Sequence, residues 1–262
     1  MTHEGGVKAL EVRGLTAGYG SLAVIHDVDL SVAHGEIVGL LGRNGAGKTT
    51  TLMAIAGFLG RYAGEVLVDG APLRGPAYRR TKAQVGIVLE GRSVFPSLTV
   101  RQNLDLANAE LDEALELFPE LRAKLGLRAG LLSGGEQQML ALARTVGRHP
   151  AVLLIDELSF GLAPTLCERI FERLRQVAEA TSVGVLLVEQ HIHYAANLVD
   201  RALIMNEGLV RAEVPGSELA DREAEIERIY LGGVDELLEG VSGNSHGTPT
   251  SAEADRAADS SD

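Results

Sequence analysis

Short apolar runs alternate along the chain with segments whose apolar residues recur at helical spacing. Runs rich in Val, Ile and Leu, bounded by glycine or by other turn residues, predict β-strands. The predicted strands lie at residues 8–13, 24–32, 36–41, 65–69, 85–89, 151–155, 184–189 and 202–205. The predicted helices lie at residues 48–57, 134–149, 164–180 and 193–199. Strands that alternate with helices predict an α/β fold with a mostly parallel sheet.

The middle of the chain has a different character. From residue 99 to residue 130, leucines recur at mixed helical spacings among Glu, Asp and Arg, and β-branched residues are few. This composition predicts a helical subdomain, at about residues 92–148, inserted between the two groups of strands. Ser133 precedes the helix predicted from residue 134, where its side chain suits an N-cap.

The charge balance argues against a protein that binds polyanions. The chain has 262 residues, with 24 Lys plus Arg, 36 Asp plus Glu and a net charge of −12. Binding nucleic acid by bulk electrostatics needs clustered basic residues, which this chain lacks.

Residues 233–262 carry seven acidic groups and one basic group, and from residue 240 onward the chain has neither aromatic residues nor apolar periodicity. We therefore expect an acidic, disordered C-terminal tail at 233–262.

Neither secretion nor a membrane span is predicted. One cysteine, Cys167, excludes an internal disulfide, fits a reducing compartment and is expected as a small core residue of a helix. Residues 1–8 lack the apolar run of a signal peptide. No apolar run approaches the roughly 18 residues of a membrane span. We expect a cytoplasmic protein that reaches the inner face of the cell membrane only through partner subunits.

A glycine-rich loop between a predicted strand and a predicted helix carries the clearest chemistry. Residues 42–49, Gly-Arg-Asn-Gly-Ala-Gly-Lys-Thr, fit the phosphate-loop pattern G-x-x-x-x-G-K-[ST] in the strand–loop–helix context that it requires. Backbone N–H groups of such a loop converge on phosphate oxygens at the positive end of the helix. Lys48 is expected to contact the β- and γ-phosphates, and Thr49 to ligate Mg²⁺. The predicted nucleotide-binding residues of this loop are Gly42, Asn44, Gly45, Gly47, Lys48, Thr49 and Thr50.

Two adjacent carboxylates end another apolar strand. Asp156 and Glu157 follow residues 151–155, and at the carboxyl edge of a parallel sheet both can face a phosphate site. Asp156 is expected to hold Mg²⁺, directly or through water. Glu157 is expected to orient or deprotonate the attacking water, because hydrolysis needs a positioned base near the γ-phosphate. With the phosphate loop upstream, the pair predicts a nucleotide hydrolase in which Lys48 and Glu157 are catalytic.

A third motif makes this prediction specific. Residues 132–137, Leu-Ser-Gly-Gly-Glu-Gln, resemble the signature sequence of ATP-binding cassette (ABC) ATPases. Ser133 and the amides of Gly134 and Gly135 form a second anion site at a helix N-terminus, with Glu136 in the same motif. In that family the site reaches the γ-phosphate held by the phosphate loop of the opposite subunit.

The resemblance covers about residues 9–232 and implies a fold. That fold is a P-loop NTPase of the α/β class, an ABC nucleotide-binding domain with an antiparallel β layer and an inserted helical subdomain. It places the ATPase domain at residues 1–232 and leaves residues 233–262 as the acidic tail.

Further runs narrow the resemblance to one subgroup. Residues 90–100, 159–164 and 188–190 are similar to runs in the second ATPase subunit of branched-chain amino acid importers and their relatives. This implies an ATP-binding and ATP-hydrolysing subunit of an importer for branched-chain amino acids or a related small polar substrate. The alternatives are the ATPase of a urea or amide importer, a soluble ABC ATPase without a transport role, and the cassette of an exporter.

Family roles carry over to individual residues. Tyr19 matches the aromatic residue that stacks on adenine, and Glu90 stands where most ABC ATPases have a glutamine that contacts Mg²⁺ and the transmembrane partner. Gln190 takes the place of the histidine that contacts the γ-phosphate; its amide donates a hydrogen bond but does not titrate. His191 takes that role if the loop register differs. Leu158 replaces the common proline after Asp-Glu, which puts the rigidity of that loop in doubt.

The resemblance also implies cofactors and partners. A second ABC ATPase subunit, a paralogue or a second copy of this chain, is expected to sandwich two ATP molecules with it. Two transmembrane permease subunits are expected to sense this ligand-ordered switch through a groove near residues 90–96 and the helical insertion. An external substrate-binding protein takes part indirectly, and no nucleic acid is expected. The predicted cofactors are ATP and Mg²⁺, with Thr49, Glu90 and Asp156 as metal ligands.

Overall fold

The computed structural model describes residues 7–89, 91 and 93–232. The strands are, in chain order, β1 Leu10–Tyr19, β2 Leu22–Val32, β3 Ile37–Leu41, β4 Arg61–Val68, β5 Ala71–Pro72, β6 Val85–Val88, β7 Val152–Asp156, β8 Gly184–Glu189, β9 Arg201–Asn206 and β10 Leu209–Pro215. The α-helices are α1 Lys48–Ala56, α2 Ala77–Ala83, α3 Val100–Leu106, α4 Leu111–Leu117, α5 Gly134–Val146, α6 Pro164–Thr181, α7 Ile192–Ala196 and α8 Glu223–Tyr230. Glu90 and the predicted tail at 233–262 lie outside the described residues.

The strands form two sheets. A four-stranded antiparallel sheet has the order β2-β1-β4-β5, and a six-stranded sheet has the order β10-β9-β3-β8-β7-β6. In the second sheet every neighbouring pair from β9 to β6 is parallel, and β10 alone joins β9 in the antiparallel sense. The predicted α/β fold with a mostly parallel sheet and an antiparallel layer is therefore confirmed.

The parallel sheet is buried on both faces. Along β7, Leu153 and Ile155 pack into a core shared with α5 and α6, whereas Val152 and Leu154 pack into a second core shared with α1 and the antiparallel sheet. A strand covered on both faces must be apolar throughout, which is why residues 151–155 form a continuous apolar run. Cys167, on α6, is fully buried in the first core, as expected.

β1 extends well beyond its prediction, which ended at residue 13. The strand continues to Tyr19 because Gly14 adopts a φ of 57° at a break in the pairing register between β1 and β2. At Gly18 the backbones approach so closely that a Cβ atom would lie 2.0 Å from the Leu22 carbonyl oxygen. In the sequence, Gly14 and Gly18 look like residues beyond the end of the first strand. In the structure they are irregularities within one long strand, β1.

Helices occupy the segment between β6 and β7, where the sequence predicts an inserted subdomain at about 92–148. The described part of this segment contains α3, α4, α5 and two 3-10 turns at Pro119–Lys124 and Ala129–Leu131. Thr99 and Gln102 form a reciprocal capping box that begins α3. The exact bounds of the subdomain stay a prediction. Among the helices that the structure describes, none is long and apolar enough to cross a membrane.

Candidate active site

Three adjacent strands bring the phosphate loop, the Asp156–Glu157 pair and Gln190 to one edge of the parallel sheet. The phosphate loop follows β3. Asp156 ends β7 and is followed by Glu157, and Glu189 ends β8 and is followed by Gln190. β8 lies between the other two strands. Leu41 of β3 pairs with Glu189, and Asp156 pairs with Val188. The carboxyl edge of a parallel sheet is where such folds bind ligands.

The phosphate loop depends on its glycines. Gly45 and Gly47 have φ values of 85° and 105°, which residues with a Cβ atom rarely adopt. At Gly42 a Cβ atom would lie 2.4 Å from the Met205 carbonyl oxygen. Gly47 is the N-cap of α1 and has no side chain to cap it, so the first N–H groups of the helix are free to bind an anion.

Lys48 is buried beside this loop. Its ammonium group donates to the carbonyl oxygens of Gly42, at 2.8 Å, and of Arg43, at 3.2 Å. Burial lowers the pKa of Lys48, and the nearby carboxylates of Glu157, Asp156 and Glu189 oppose this shift. The site thus holds a desolvated cation whose interaction with a phosphate is weakly screened by water.

Thr49 and Asp156 lie together at the start of α1. The Thr49 hydroxyl donates to the Asp156 carboxylate at 3.2 Å, and Asp156 is buried. Hydroxyl and carboxylate oxygens are the ligand types that Mg²⁺ prefers, and this ion usually combines one or two of them with phosphates and waters. In the described parts of the chain, no group of three His, Cys, Asp or Glu side chains could hold a metal. The Thr49–Asp156 contact offers the ligand types of a Mg²⁺ ion that is bound together with phosphates.

Glu157 occupies an unusual backbone conformation next to that pair. Its φ is 46°, in the left-handed region that non-glycine residues seldom enter. Its N–H donates to the Val188 carbonyl oxygen at 3.0 Å, and its own carbonyl accepts from the Phe160 N–H at 3.2 Å. Strained backbone held by its surroundings is typical of functional sites.

Gln190 and His191, the two residues after β8, differ in how far they are buried. Gln190 follows the strand directly and is half-buried, whereas His191 is exposed and begins α7. Sequence reasoning missed the residue before them, the buried Glu189, whose carboxylate accepts two hydrogen bonds from Ser159. The signal was a charged residue at the end of an otherwise apolar strand.

The signature segment, residues 132–137, begins α5 with a capping box, in which the first and fourth residues of the cap bind each other's backbone. The Ser133 hydroxyl accepts from the Glu136 N–H, and the Glu136 carboxylate accepts from the Ser133 N–H at 2.9 Å. Lys124 donates to the other Glu136 oxygen, and this hydrogen bond is the main cause that lowers the pKa of Glu136. Gly135 is buried, and a Cβ atom there would lie 2.2 Å from the Leu166 side chain of α6. These contacts fix the cap, and the contacts of the segment to nucleotide stay a prediction.

Tyr19 lies at the end of β1 with its side chain in solvent. The residue is 55% exposed, and the turn that follows it is held by Tyr62 of β4, whose hydroxyl donates to the Gly20 carbonyl oxygen at 2.7 Å. An exposed aromatic ring on a fixed turn offers a stacking surface for a base. Tyr62 was not predicted, because its contact with the turn spans about forty residues.

The comparison with known families decides the identity. A family model described as ABC transporter matches residues 25–159, more than half of the chain. The chain belongs to the ABC transporter family. The high-affinity branched-chain amino acid transport ATP-binding protein BraG of Pseudomonas aeruginosa is 40% identical to it over 225 residues, covering 82% of this chain and 96% of its own. The probable branched-chain amino acid transport ATP-binding protein LivF of Archaeoglobus fulgidus is 36% identical, covering 84% of this chain and 98% of its own.

Solved structures agree with the fold. An ATP-binding cassette of an ABC transporter in its ADP conformation superposes with a TM-score of 0.77 at 22% identity, covering 86% of this chain and 99% of that chain. The family match and the curated relatives confirm the predicted membership of the ABC family and the ATP hydrolase activity. The solved structure confirms the P-loop fold. ABC ATPase domains bind ATP and ADP. The roles of individual site residues in this ABC ATPase stay predictions.

The exposed ring of Tyr19 leads to the first test. Tyr19→Ala is expected to raise the KM for ATP about 10-fold with little change in kcat, because stacking on a base contributes roughly 1–3 kcal/mol. Steady-state ATPase assays over a range of ATP concentrations measure both constants. Phe58→Ala, which removes another exposed aromatic side chain away from the loop, is the matched control. An unchanged KM in Tyr19→Ala would show that adenine does not stack there.

Proposed function

We propose that this ABC ATPase powers an importer of branched-chain amino acids or of a related small polar substrate. The observation that carries the proposal is the convergence of the phosphate loop, after β3, with Asp156 and Glu157, at the end of β7, on one edge of the sheet. The proposed substrate class is supported by the two relatives that share 40% and 36% identity over most of their length.

Nucleotide binding is assigned to the loop and to two side chains. The N–H groups at the start of α1 and the ammonium of Lys48 would bind the phosphates, since a desolvated cation interacts strongly with an anion. Tyr19 would stack on adenine from the end of β1. The loop carbonyls that accept from Lys48 hold its ammonium beside the loop.

Mg²⁺ fits the residues at the start of α1. The Thr49 hydroxyl and the Asp156 carboxylate would hold the ion, and it would neutralise charge on the phosphates when bound. Glu90 lies outside the described residues and stays a predicted ligand.

Hydrolysis of the γ-phosphate is assigned to Glu157 and Gln190. The Glu157 carboxylate would orient the attacking water and accept its proton, which requires a fixed position at hydrogen-bond distance from that water. The Gln190 amide would donate a hydrogen bond to the γ-phosphate without taking part in proton transfer. Each residue directly follows a strand of the same sheet, so one rigid element positions both of them.

A second ATPase subunit would complete the site. In this arrangement Ser133, Gly134 and Gly135 reach the γ-phosphate bound to the partner. Exposed apolar side chains flank both halves of the proposed contact: Leu131, beside the signature segment, is 70% exposed, and Phe160, in the turn after Glu157, is 59% exposed. Such residues typically become buried at an interface. The partner is a paralogue or a second copy of this chain.

A groove beside β6 would receive a permease subunit. The cavity has a volume of about 740 Å³ and lies between β6 and the helical segment, away from the phosphate loop. Tyr78, Phe95, Leu106 and Arg144 line it, and the Arg144 guanidinium lies 5.0 Å from the centre of the Phe95 ring. Arg144 donates to the carbonyl oxygens of Asn103 and Ser93, and burial lowers its pKa. Neither of these partners carries a charge, so an acidic group from a permease would be attracted to this cation.

The groove leads to a test by substitution. Leu106→Asp places a charge on an exposed leucine of the groove and is expected to lower the yield of co-purified permease at least about 10-fold, since a desolvated charge costs several kcal/mol. Leu127→Asp, on a leucine of the helical segment that does not line the groove, is the matched control. Equal permease yields from both variants would move the docking site elsewhere.

The transported substrate is tested in reconstituted vesicles. Uptake of radiolabelled leucine and of radiolabelled urea is compared in vesicles that contain the permeases, with the wild-type chain and with Lys48→Ala. Uptake of leucine that depends on Lys48 supports the proposal. Uptake of urea alone would support the amide-importer alternative, and ATP hydrolysis without any permease response would support a soluble ABC ATPase.

A further inference from the structure

A buried carboxylate lies between the phosphate loop and Glu157, and the reaction proposed above does not use it. Glu189 ends β8, and its Cα atom pairs with Leu41, the last residue before the loop. The residue is only 1% exposed. Glutamate is almost never buried so completely unless its oxygen atoms have hydrogen-bond partners.

Ser159 occupies both oxygens of this carboxylate. The Ser159 N–H donates to Glu189 Oε1 at 3.0 Å, and the Ser159 hydroxyl donates to Glu189 Oε2 at 2.9 Å. Ser159 comes two residues after Glu157, whose N–H is bound to the carbonyl oxygen of Val188. Consecutive residues at the end of β8 therefore hold the Glu157 turn at two points.

The turn needs such support for two reasons. Glu157 has a φ of 46°, a conformation that persists only where the surroundings enforce it. Leu158 follows it and has no ring to fix φ as a proline would. Leu158 is buried, so its packing and the hydrogen bonds to β8 define the path of the backbone.

The electrostatics do not favour a purely stabilising role. Burial raises the pKa of Glu189, hydrogen bonds from Ser159 oppose this shift, and the charge of Glu157 adds to it. Replacing a buried ionic group by apolar side chains of similar volume is often neutral or stabilising. A carboxylate buried here, in electrostatic contact with Glu157 and Lys48, is therefore better explained by the site than by the core.

We propose that Glu189 is a positioning residue for hydrolysis, which binds Ser159 and so fixes the turn that carries Glu157. The inference rests on the proposed role of Glu157 as the group that orients the attacking water. Without Glu189 the backbone at Ser159 loses its anchor, and the Glu157 carboxylate no longer keeps its distance from that water.

The test compares three substitutions in steady-state assays of the full chain with Mg-ATP. Glu189→Ala is expected to lower kcat about 30- to 100-fold while the KM for ATP changes less than about 3-fold, since displacement of a catalytic group by 1 Å costs about 100-fold. Glu189→Gln is expected to lose no more than about 5-fold, because its amide can accept from the Ser159 N–H and donate to the Ser159 hydroxyl. Ser159→Ala, which removes one of the two hydrogen bonds, is expected to lower kcat about 10-fold.

Two controls distinguish a loss of the Glu157 position from a general loss of stability. Glu36→Ala removes a half-buried carboxylate that accepts from the Ala33 N–H at the opposite end of β3, and it should lower the Tm without a selective loss of kcat. In the Glu157→Gln background, Glu189→Ala should cause no further loss, because residues that act through one another are not additive.

A kcat of Glu189→Ala equal to that of the wild type would overturn the inference. An equal loss in Glu189→Gln and Glu189→Ala, or a fully additive loss in the double variant, would do so as well. If Glu189→Ala does not fold, the kcat of Ser159→Ala decides the question, and a wild-type value overturns the inference. Wild-type activity in Glu157→Gln would instead contradict the proposed role of Glu157.

Discussion

Glu157→Gln is expected to stop the turnover of ATP while leaving ATP bound. The amide occupies the same volume as the carboxylate but cannot accept a proton from water, and a general base contributes typically 10²–10⁴-fold. The phosphate loop, Lys48 and the Thr49–Asp156 pair are unchanged, so nucleotide affinity is retained. Because ATP then bridges two subunits without being cleaved, the chain should elute as a dimer that carries ATP.

The dimer is measured by light scattering on a size-exclusion column, and the bound nucleotide by its absorbance and chromatography. Glu207→Gln is the matched control, because Glu207 also has a positive φ, of 49°, but lies in the turn between β9 and β10. That variant should remain like the wild type. A Glu157→Gln chain that releases its nucleotide and stays monomeric, both alone and mixed with its partner ATPase subunit, would contradict the role assigned to Glu157.

Lys48→Ala is expected to weaken ATP binding roughly 100-fold. The substitution removes a desolvated ammonium whose hydrogen bonds to charged groups contribute about 1.5–3 kcal/mol each. It also leaves the carboxylates of Asp156, Glu157 and Glu189 without the cation that opposes them. Equilibrium titration with a fluorescent ATP analogue measures the Kd.

Arg43→Ala is the matched control for Lys48, since it removes an exposed charge from the same loop and should change the Kd less than about 3-fold. A pH series adds a second readout. Burial lowers the pKa of Lys48 from 10.5, so this side chain loses its proton at a lower pH than an exposed lysine does. As the pH is raised, the affinity of the wild type for ATP should therefore begin to fall at a lower pH than an exposed lysine would give. Equal Kd values for Lys48→Ala and the wild type would exclude Lys48 from phosphate binding.

The sequence predicted those parts of the fold and site whose residues are neighbours along the chain. The phosphate loop could be placed because its glycines, Lys48 and Thr49 lie within eight residues, between an apolar strand and a helix. The turn at Glu207 and Gly208, both with positive φ, joins β9 to a strand, β10, that was not predicted. The alternating residues 209–214 and the glycine turn were a usable signal for this hairpin.

The contacts that organise the site were out of reach of the sequence. Lys124 binds Glu136 across a gap of 12 residues, and Ser159 binds Glu189 across a gap of 30. Neither pair has a fixed spacing that a motif could capture, because each depends on how separate elements pack. Tyr62, which holds the turn after Tyr19, is a third case.

Whether Glu157 drives the hydrolysis of ATP is decided by the release of inorganic phosphate from Mg-ATP. The wild-type full chain, Glu157→Gln and Glu207→Gln are assayed side by side in the presence of the partner subunits. We expect many turnovers for the wild type and Glu207→Gln, and at least about 100-fold slower release for Glu157→Gln. Phosphate release by the wild type that does not exceed that of Glu157→Gln would contradict this expectation.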